Sequence, residues 1–375
     1  MNRKNICEIC TLIMGQSPDS KSYNKDKNGI PFYQGNADFG EEHPTPTVWC
    51  TAPKKIARKG DILISVRAPI GDMNIANEDC CIGRGLAAIR LNKSDIVDIN
   101  YLYHYLSATV EFLQEQGTGS TFKAINKTTL EGIEIPCPSI EKQKNIAKFI
   151  IEIKTSIQYK KAELVALNEL VKSRFIEMFG DIRISSIFPN IALENFAQIG
   201  SSKRVHAADY VESGVPFYRS KEIIELGNGQ EPSVELFISK KQYESIKKTN
   251  GVPCKGDILM SAVGTIGKMW IVDGRKDFYY KDGNIISIHS EETNPIYLKE
   301  ALANLIDDFK SANVAGSAYS ALTIVKLKKM TVPMPPMSIQ NEFADFVKLI
   351  DKSKFVGYFT LNIFYVKSSH FHHPP

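Results

Sequence analysis

From Glu141 to Phe179 the chain contains neither Gly nor Pro, and Ile150, Ile157, Leu164, Val171 and Met178 recur at a single heptad position. The companion position holds Ile146, Ile153, Lys160, Leu167 and Arg174. A stripe of this kind predicts a long helix that pairs with another helix instead of lying on a sheet. At 1.5 Å per residue such a helix is roughly 58 Å long, more than one domain core requires, so it reads as a spacer. Ser139 stands as its N-cap and Glu141 falls in its first turn, where the helix dipole favours an acid.

On either side of this helix the pattern changes to short β-prone runs bounded by Gly, Pro and Asn, and the two sides repeat one another. Gly29–Tyr33 (GIPFY) returns as Gly214–Tyr218 (GVPFY), offset by 185 residues, and Lys59–Leu63 (KGDIL) returns unchanged as Lys255–Leu259, offset by 196. The second copy therefore carries about eleven additional residues between these motifs. Gly119–Ile125 (GSTFKAI) matches Gly316–Leu322 (GSAYSAL), and Ile135–Pro138 (IPCP) matches Val332–Pro335 (VPMP), both at 197. Strands are predicted over Asp61–Val66, Ala88–Leu91, Asp257–Ser261 and Ile285–Ile288. Helices are predicted over Tyr101–Gln116 and Pro295–Ser311.

A second helix should start after Pro336, with Gln340 standing where Gln143 stands. Its seam does not repeat: Val347, Lys354, Leu361, Ser368 and Pro375 occupy the equivalent heptad position, and Gly357 interrupts the run. The expectation is a helix that stops near Phe355, an aberrant tail beyond it, and a first helix whose apolar stripe lacks its partner and drives association. Residues His370, His372 and His373 lie among the terminal prolines and read as unstructured, not as metal ligands.

The 375 residues include 43% hydrophobic, 10% aromatic and 23% charged positions, enough apolar material for two packed domains. A net charge of +4 permits a nucleic-acid partner without requiring one. The start lacks a signal-peptide core, and Phe355–Val366 falls short of the ~20 residues of a spanning helix, so a cytoplasmic protein without a membrane partner is expected. Seven cysteines fit a reducing compartment. Cys7 and Cys10 have no second pair at zinc-site spacing, and all seven read as small buried hydrophobes.

Several chemistries find no constellation. No phosphate-binding GxxxxGK[ST] occurs, since Gly267-Lys268 has Ala262 at the position of the first glycine and Met269 after it. HExxH, GxSxG and GxGxxG are absent, as are a methyl-donor loop and the Asn-Pro-Pro-aromatic tetrad of adenine methyltransferases. Pro18-Asp19 and Glu152-x-Lys154 are too far apart, and the latter too helical, for a PD…ExK nuclease site.

The ordered set GxPFY, KGDILxS, GS(T/A)(F/Y)xA(I/L) and (I/V)P(C/M)P, duplicated with a helix after each copy, resembles the specificity subunits of type I restriction-modification systems. The resemblance extends to about Phe355. It implies an α+β architecture of two β-rich target-recognition domains in tandem, each followed by a long helix, the second incomplete. The boundaries are then 1–138 and 183–335 for the domains, 139–182 for the spacer helix, 336–355 for the start of the second helix, and 356–375 for the tail. It also implies that each domain reads one half of a bipartite double-stranded DNA target. The helices would dock adenine methyltransferase subunits, and a restriction subunit would supply the helicase and nuclease. No catalytic residue and no cofactor is then expected on this chain, with S-adenosylmethionine, ATP and Mg²⁺ held by the partners. A single-chain DNA methyltransferase or nuclease, or a coiled-coil adaptor without a DNA role, is the alternative.

On that reading, the segment after GxPFY is the recognition candidate, being polar where the copies diverge: Gln34, Asn36 and Asp38 in the first, Arg219, Ser220, Lys221 and Glu222 in the second. Ser65 and Arg67 after KGDIL, Ser120 and Lys123 inside GSTFKAI, and Ser261 and Ser320 in the second copy are further candidates for phosphate or base contact. KGDIL itself reads as a turn entering a buried strand, with Gly60 set for backbone geometry and Asp61 for a turn bond. Tyr33, Tyr218, Phe122 and Tyr319 are core aromatics or stacking platforms. Ile150, Ile157, Leu164, Val171 and Met178 form the partner-binding seam.

Overall fold

The computed structural model describes all residues except 1, 118–122, 183–184, 314–321 and 370–375. The chain divides into two units, Met1–Tyr159 with Leu361–Pro375, and Lys160–Thr360. Both are mixed assemblies of small sheets and helices, as the repeat predicts.

In the first unit a four-stranded antiparallel sheet runs in the order Cys10–Met14, Leu86–Leu91, Ile62–Ser65, Met73–Ile75. The second unit has the same sheet in Gln198–Gly200, Ile285–His289, Ile258–Ser261, Met269–Ile271. A second sheet in each unit contains the GxPFY strand in parallel pairing, Phe32 opposite Cys81 in one and Phe217 opposite Tyr279 in the other. A two-strand clasp completes each domain: Arg3–Asn5 with Glu134–Pro136, and Asn190–Ala192 with Thr331–Pro333, so the IPCP and VPMP motifs lie where the clasp hands over to the long helix.

The shared KGDIL motif has a clear place in this scheme. Every residue of Ile62–Ser65 and of Ile258–Ser261 is buried, because the strand is packed on both faces. Ile62 and Ile64 enter the core that holds Leu102, Leu106 and Leu113, whereas Leu63 enters the core of Tyr33, Ile82 and Leu86. Ile258, Met260 and Leu259 divide in the same way between the cores of Leu302 and Tyr218. A two-sided strand needs a continuous apolar run instead of alternation, and the ILIS and ILMS stretches supply it. Gly60 and Gly256 precede the strand with φ +89° and +95°, a backbone region that costs other residues strain. Asp61 and Asp257 each accept a turn N–H, from Arg58 at 2.8 Å and from Cys254 at 2.8 Å. Each carboxylate is also paired across the sheet. Arg90 holds Asp61 through Nε at 3.0 Å and Nη2 at 2.7 Å, and His289 Nδ1 lies 2.6 Å from Asp257.

The predicted helix over Tyr101–Gln116 is two helices, Ile99–Ala108 and Val110–Glu115. It breaks at Thr109, whose hydroxyl donates to the Leu106 carbonyl at 2.8 Å in competition with the helix ladder. The counterpart is unbroken, Pro295–Asn313. The longer segment between these motifs in the second copy holds two helices that the apolar pattern does not announce, Ser220–Gly227 and Lys240–Thr249.

The long helix spans Ile140–Phe179. The C-terminal helix runs Met337–Ser369, so it passes the expected stop near Phe355, and residues beyond 355 are helical up to Ser369. Within the second unit the two helices pair antiparallel. Phe343 packs on Phe175 and Phe179, and Arg174 pairs with Glu342 at 3.2 Å. At the opposite end Leu164 meets Gly357. A Cβ at 357 would stand 3.1 Å from Leu164 Cδ2, so the glycine that reads as a helix interruption is a point of close approach inside a continuous helix. Leu164 and Val171 are therefore buried, and the expected orphan stripe is covered within the second unit by Val347 and Ile350. Ile150, Ile157 and Met178 are half-buried.

Candidate nucleic-acid interface

Each domain places a seven-residue loop after its two-sided strand, residues 66–72 in the first and 262–268 in the second, closed by the strand's last residue, Ser65 or Ser261. Ser65 is 1% exposed; its hydroxyl donates to the Pro69 carbonyl at 2.7 Å and accepts from the Asp72 N–H at 3.0 Å. Ser261, 0% exposed, donates to Thr265 at 2.6 Å and accepts from Lys268 at 3.0 Å. These two serines were expected at the DNA surface; they close a turn instead, and neither hydroxyl is free to meet a ligand. Gly71 and Gly267 bond back to the same serines' carbonyls at 3.0 and 2.8 Å with positive φ. The common Ser-to-Gly spacing of six is the sequence signal that identifies the turn in both copies.

After the GxPFY strand the copies diverge in conformation. In the first, Asn36–Asp38 forms one 3₁₀ turn. Asp38 accepts the Gln34 N–H at 2.7 Å, and Asn36 donates to Asp72 at 2.9 Å. Asp38 and Asn36 are thus engaged in shaping the loop, whereas the Gln34 side chain is exposed. In the second, Arg219 precedes helix Ser220–Gly227 and reaches Glu222 at 2.9 Å and Glu235 at 2.8 Å. Lys221 joins Glu235 at 3.0 Å. Glu222 is 0% exposed, so Arg219 compensates a buried charge. Those carboxylates push the Arg219 guanidinium far above its ordinary pKa. Arg219, expected as a DNA contact, is therefore tied to a buried carboxylate, while Lys221, also expected there, stays exposed in a surface pair with Glu235. Ser220 opens the helix.

Tyr33 and Tyr218 settle as core residues at 0% and 3% exposure, Tyr218 stacked on Phe278 at 4.7 Å. Burial pushes the phenol of Tyr33 up. Ser120, Phe122, Tyr319 and Ser320, and with them most of the GSTFKAI and GSAYSAL motifs, lie outside the described residues, as do His370, His372 and His373. Arg67 and Lys123 are exposed and come together: Ala68 N–H donates to the Lys123 carbonyl at 3.1 Å, and Arg67 is bridged to Ala124. The buried-hydrophobe reading of the cysteines holds for Cys10, Cys50, Cys80 and Cys81, while Cys7 and Cys254 are exposed and Cys137 is partly so. Burial raises the Cys10 and Cys80 thiols to about 12. Among the described residues no helix is long and apolar enough to cross a membrane.

The first domain also carries a residue that motif comparison does not single out. Arg84 is exposed at the tip of Gly83-Arg84-Gly85, beside the Gln34 backbone. Its signal in the sequence is an arginine held between two glycines.

Two duplicated sheet domains, each joined to a long helix and each bearing its own loop cluster, define a class of tandem recognition modules. The chain belongs to the type I restriction modification DNA specificity domain family, whose model matches residues 1–169 and again 188–355. It is similar to a Methanocaldococcus jannaschii protein provisionally named as the specificity subunit of type I restriction enzyme MjaX. The identity is 45% over 177 residues, 47% of this chain and 41% of that protein. The type I restriction enzyme MjaIX specificity subunit of the same organism is 32% identical over 187 residues, 47% of this chain and 42% of the relative. The aligned part thus spans less than half the length of each of these relatives. Across nearly the whole chain the fold matches the crystal structure of a type I restriction-modification S subunit from M. genitalium. The TM-score is 0.60 at 16% identity, with 99% of this chain and 94% of the other covered.

Proposed function

We propose that this chain recognises double-stranded DNA as the specificity subunit of a type I restriction-modification assembly, each domain reading one half of a bipartite target. The observation that carries this reading is the pairing of an identical scaffold with unlike loops. KGDIL, its turn and its serine-closed loop recur with the same pattern of hydrogen bonds, while the segment after GxPFY is a short turn in one copy and an ion-paired helix in the other. A repeated structural element with divergent ends suits two readers of different base sequences, because sequence is read by side chains at base edges and position by phosphate contacts.

The long helices would serve as spacer and as docking surface for adenine methyltransferase subunits, with a restriction subunit completing the assembly. Support comes from apolar side chains that the antiparallel pairing leaves outside: Val165 at 62% and Leu170 at 47% exposure on one helix, Leu349 at 62% and Phe355 at 67% on the other. These exposed apolar side chains, not the buried Leu164 and Val171, are the ones a partner would meet. S-adenosylmethionine, ATP and Mg²⁺ would act on those partners, and the work of this chain would be binding alone.

The test is recovery of the tagged chain from its native cells together with duplex binding over a salt series. Co-recovery of an adenine methyltransferase, and DNA affinity that is sequence-selective and falls steeply with salt, are the expected results. Recovery without such a subunit and without selective binding would refute the proposal.

A further inference from the structure

Three glycines in the first domain occupy a crossing of four chain segments. A Cβ on Gly15 would lie 2.1 Å from the Gly83 carbonyl oxygen, and one on Gly85 would lie 2.2 Å from the Gln34 carbonyl oxygen. One on Gly83 would lie 3.2 Å from Gln34 Cα and 3.3 Å from the Phe32 ring. No side chain fits at Gly15 or Gly85 without moving backbone. The crossing is also closed by backbone bonds: Gly83 N–H to Tyr33 at 2.8 Å, Gln16 N–H to Ile82 at 2.9 Å, Gly15 N–H to Leu86 at 2.9 Å and Val66 N–H to Gly85 at 2.9 Å. Ser17 Oγ accepts the Arg84 N–H at 3.3 Å. Arg84 thus rises from one of the most constrained backbone turns in the domain, yet its guanidinium is exposed and makes no ion pair or hydrogen bond among the described residues. Gln16, Gln34 and Arg67 leave the same crossing with exposed side chains.

The second copy answers differently at each of these places. Lys281 N–H bonds to Tyr218 and Ala262 N–H to Asn284, as Gly83 and Val66 do in the first copy, so Lys281–Asn284 is the equivalent turn. There Asp282 stands near the position of Arg84, closed onto Arg204 at 2.8 Å. Arg219 replaces Gln34 and is neutralised by Glu222 and Glu235, and Val263 replaces Arg67.

We infer that Arg84 is a specificity-determining residue of the first domain, its guanidinium fork reading a guanine edge in the major groove from the fixed glycine platform. The inference rests on the DNA-recognition reading above and deepens it. A phosphate contact is needed by both domains alike and is met by any flexible cation, whereas a base reader should be present in one copy and absent in the other. It should also be held by a backbone that cannot drift, since two parallel hydrogen bonds to guanine O6 and N7 require a set orientation.

The experiment is selection from a duplex library, randomised between fixed ends, by the full chain purified with its co-purifying subunits, comparing wild type, Arg84→Ala and Arg84→Lys. The expected result is that both variants lose about tenfold of discrimination for guanine at one position of one half-site, with the other half-site unchanged. Lysine fails to rescue because it keeps the charge and loses the fork. Unaltered preferences in Arg84→Ala, or a loss equal for every sequence that Arg84→Lys restores, would overturn the inference and leave the DNA-recognition reading standing. A wild-type chain that selects no sequence overturns both.

Discussion

Gln143 and Gln340, 197 residues apart, share two equivalent bonds in the first turn of their respective long helices. Gln143 Oε1 accepts the Asp98 N–H at 2.9 Å, and Gln340 Oε1 accepts the Asn294 N–H at 2.8 Å. Their amides donate back to the Pro-rich stops, to Pro138 at 2.8 Å and to Pro335 at 2.9 Å. Gln143 donates in addition to Ile96 at 2.9 Å. Both side chains are buried. Each glutamine ties three things together: the start of the long helix, the proline stop before it, and the entry to an earlier helix of the domain, Ile99–Ala108 or Pro295–Asn313.

Gln143→Ala should strip partners from the Asp98 N–H and from the partly buried carbonyls of Ile96 and Pro138, and a buried group left unpaired costs about 1–3 kcal/mol. A loss of about 2–4 kcal/mol in urea unfolding is expected, with Gln340→Ala losing somewhat less, and with the two effects adding in the double variant because they share no partner.

Arg219→Ala should act on stability before recognition. Among the described residues it leaves Glu222, fully buried, with only the backbone N–H of residue 219 at 2.7 Å. Removing one member of a buried pair costs about 3–5 kcal/mol, trimmed here because the arginine is partly exposed. A lower unfolding temperature with unchanged base preference at the temperature of assay is the expected outcome; changed preference in a fully stable variant would contradict it.

His104 gives the first unit a pH dependence. Burial, and then the nearby Lys154 ammonium 3.4 Å away, lower its pKa to about 4 from an ordinary value near 6.5. The unfolded chain takes up this proton below about pH 6.5 while the folded chain resists it until about pH 4, so stability falls as pH drops through that window. Lys154 is lowered in the same direction by burial. Replacing His104 by Gln should flatten the slope between pH 6.5 and 4, read by chemical denaturation at a series of pH values.

Gly357 separates two effects of size. Gly357→Ala puts its methyl 3.1 Å from a flexible leucine tip and gains helix propensity of about 1 kcal/mol, so it should be neutral or mildly stabilising. Gly357→Leu should force the helices apart around Leu164 and destabilise the second unit by about 1–3 kcal/mol, measured by thermal unfolding.

The features legible in the sequence are those that the duplication writes twice. KGDIL, the Pro-rich stops, the two glutamines and the Gly- and Pro-free run before Phe179 all take their expected places because each is set by local backbone geometry or by helical spacing. The polar sites were less legible. Ser65 and Ser261 look like surface groups in a list of polar residues, and only the fold reveals that their hydroxyls turn inward to close a loop. Arg219 looks like a free cation until the fold sets it against buried Glu222 and brings Glu235 beside it. The end of the C-terminal helix is not legible because the broken apolar seam and Gly357 both argue for a stop near Phe355, whereas the helix continues to Ser369 with Gly357 packed against Leu164. Helices Ser220–Gly227 and Lys240–Thr249 are not legible because the first is too short to set a period and the second, rich in Lys, has only Tyr243 and Ile246 as apolar positions.

The strand that carries KGDIL is a party wall. With Ile62 and Ile64 on one side and Leu63 on the other, neither half of the first unit can lose its order without withdrawing support from its neighbour, and Ile258, Leu259 and Met260 impose the same condition on the second. Each unit should therefore melt in a single transition and not sheet by sheet. A limited protease should find no stable half-domain, and any exchange of readers between related chains would have to cut at the long helix, not inside a sheet.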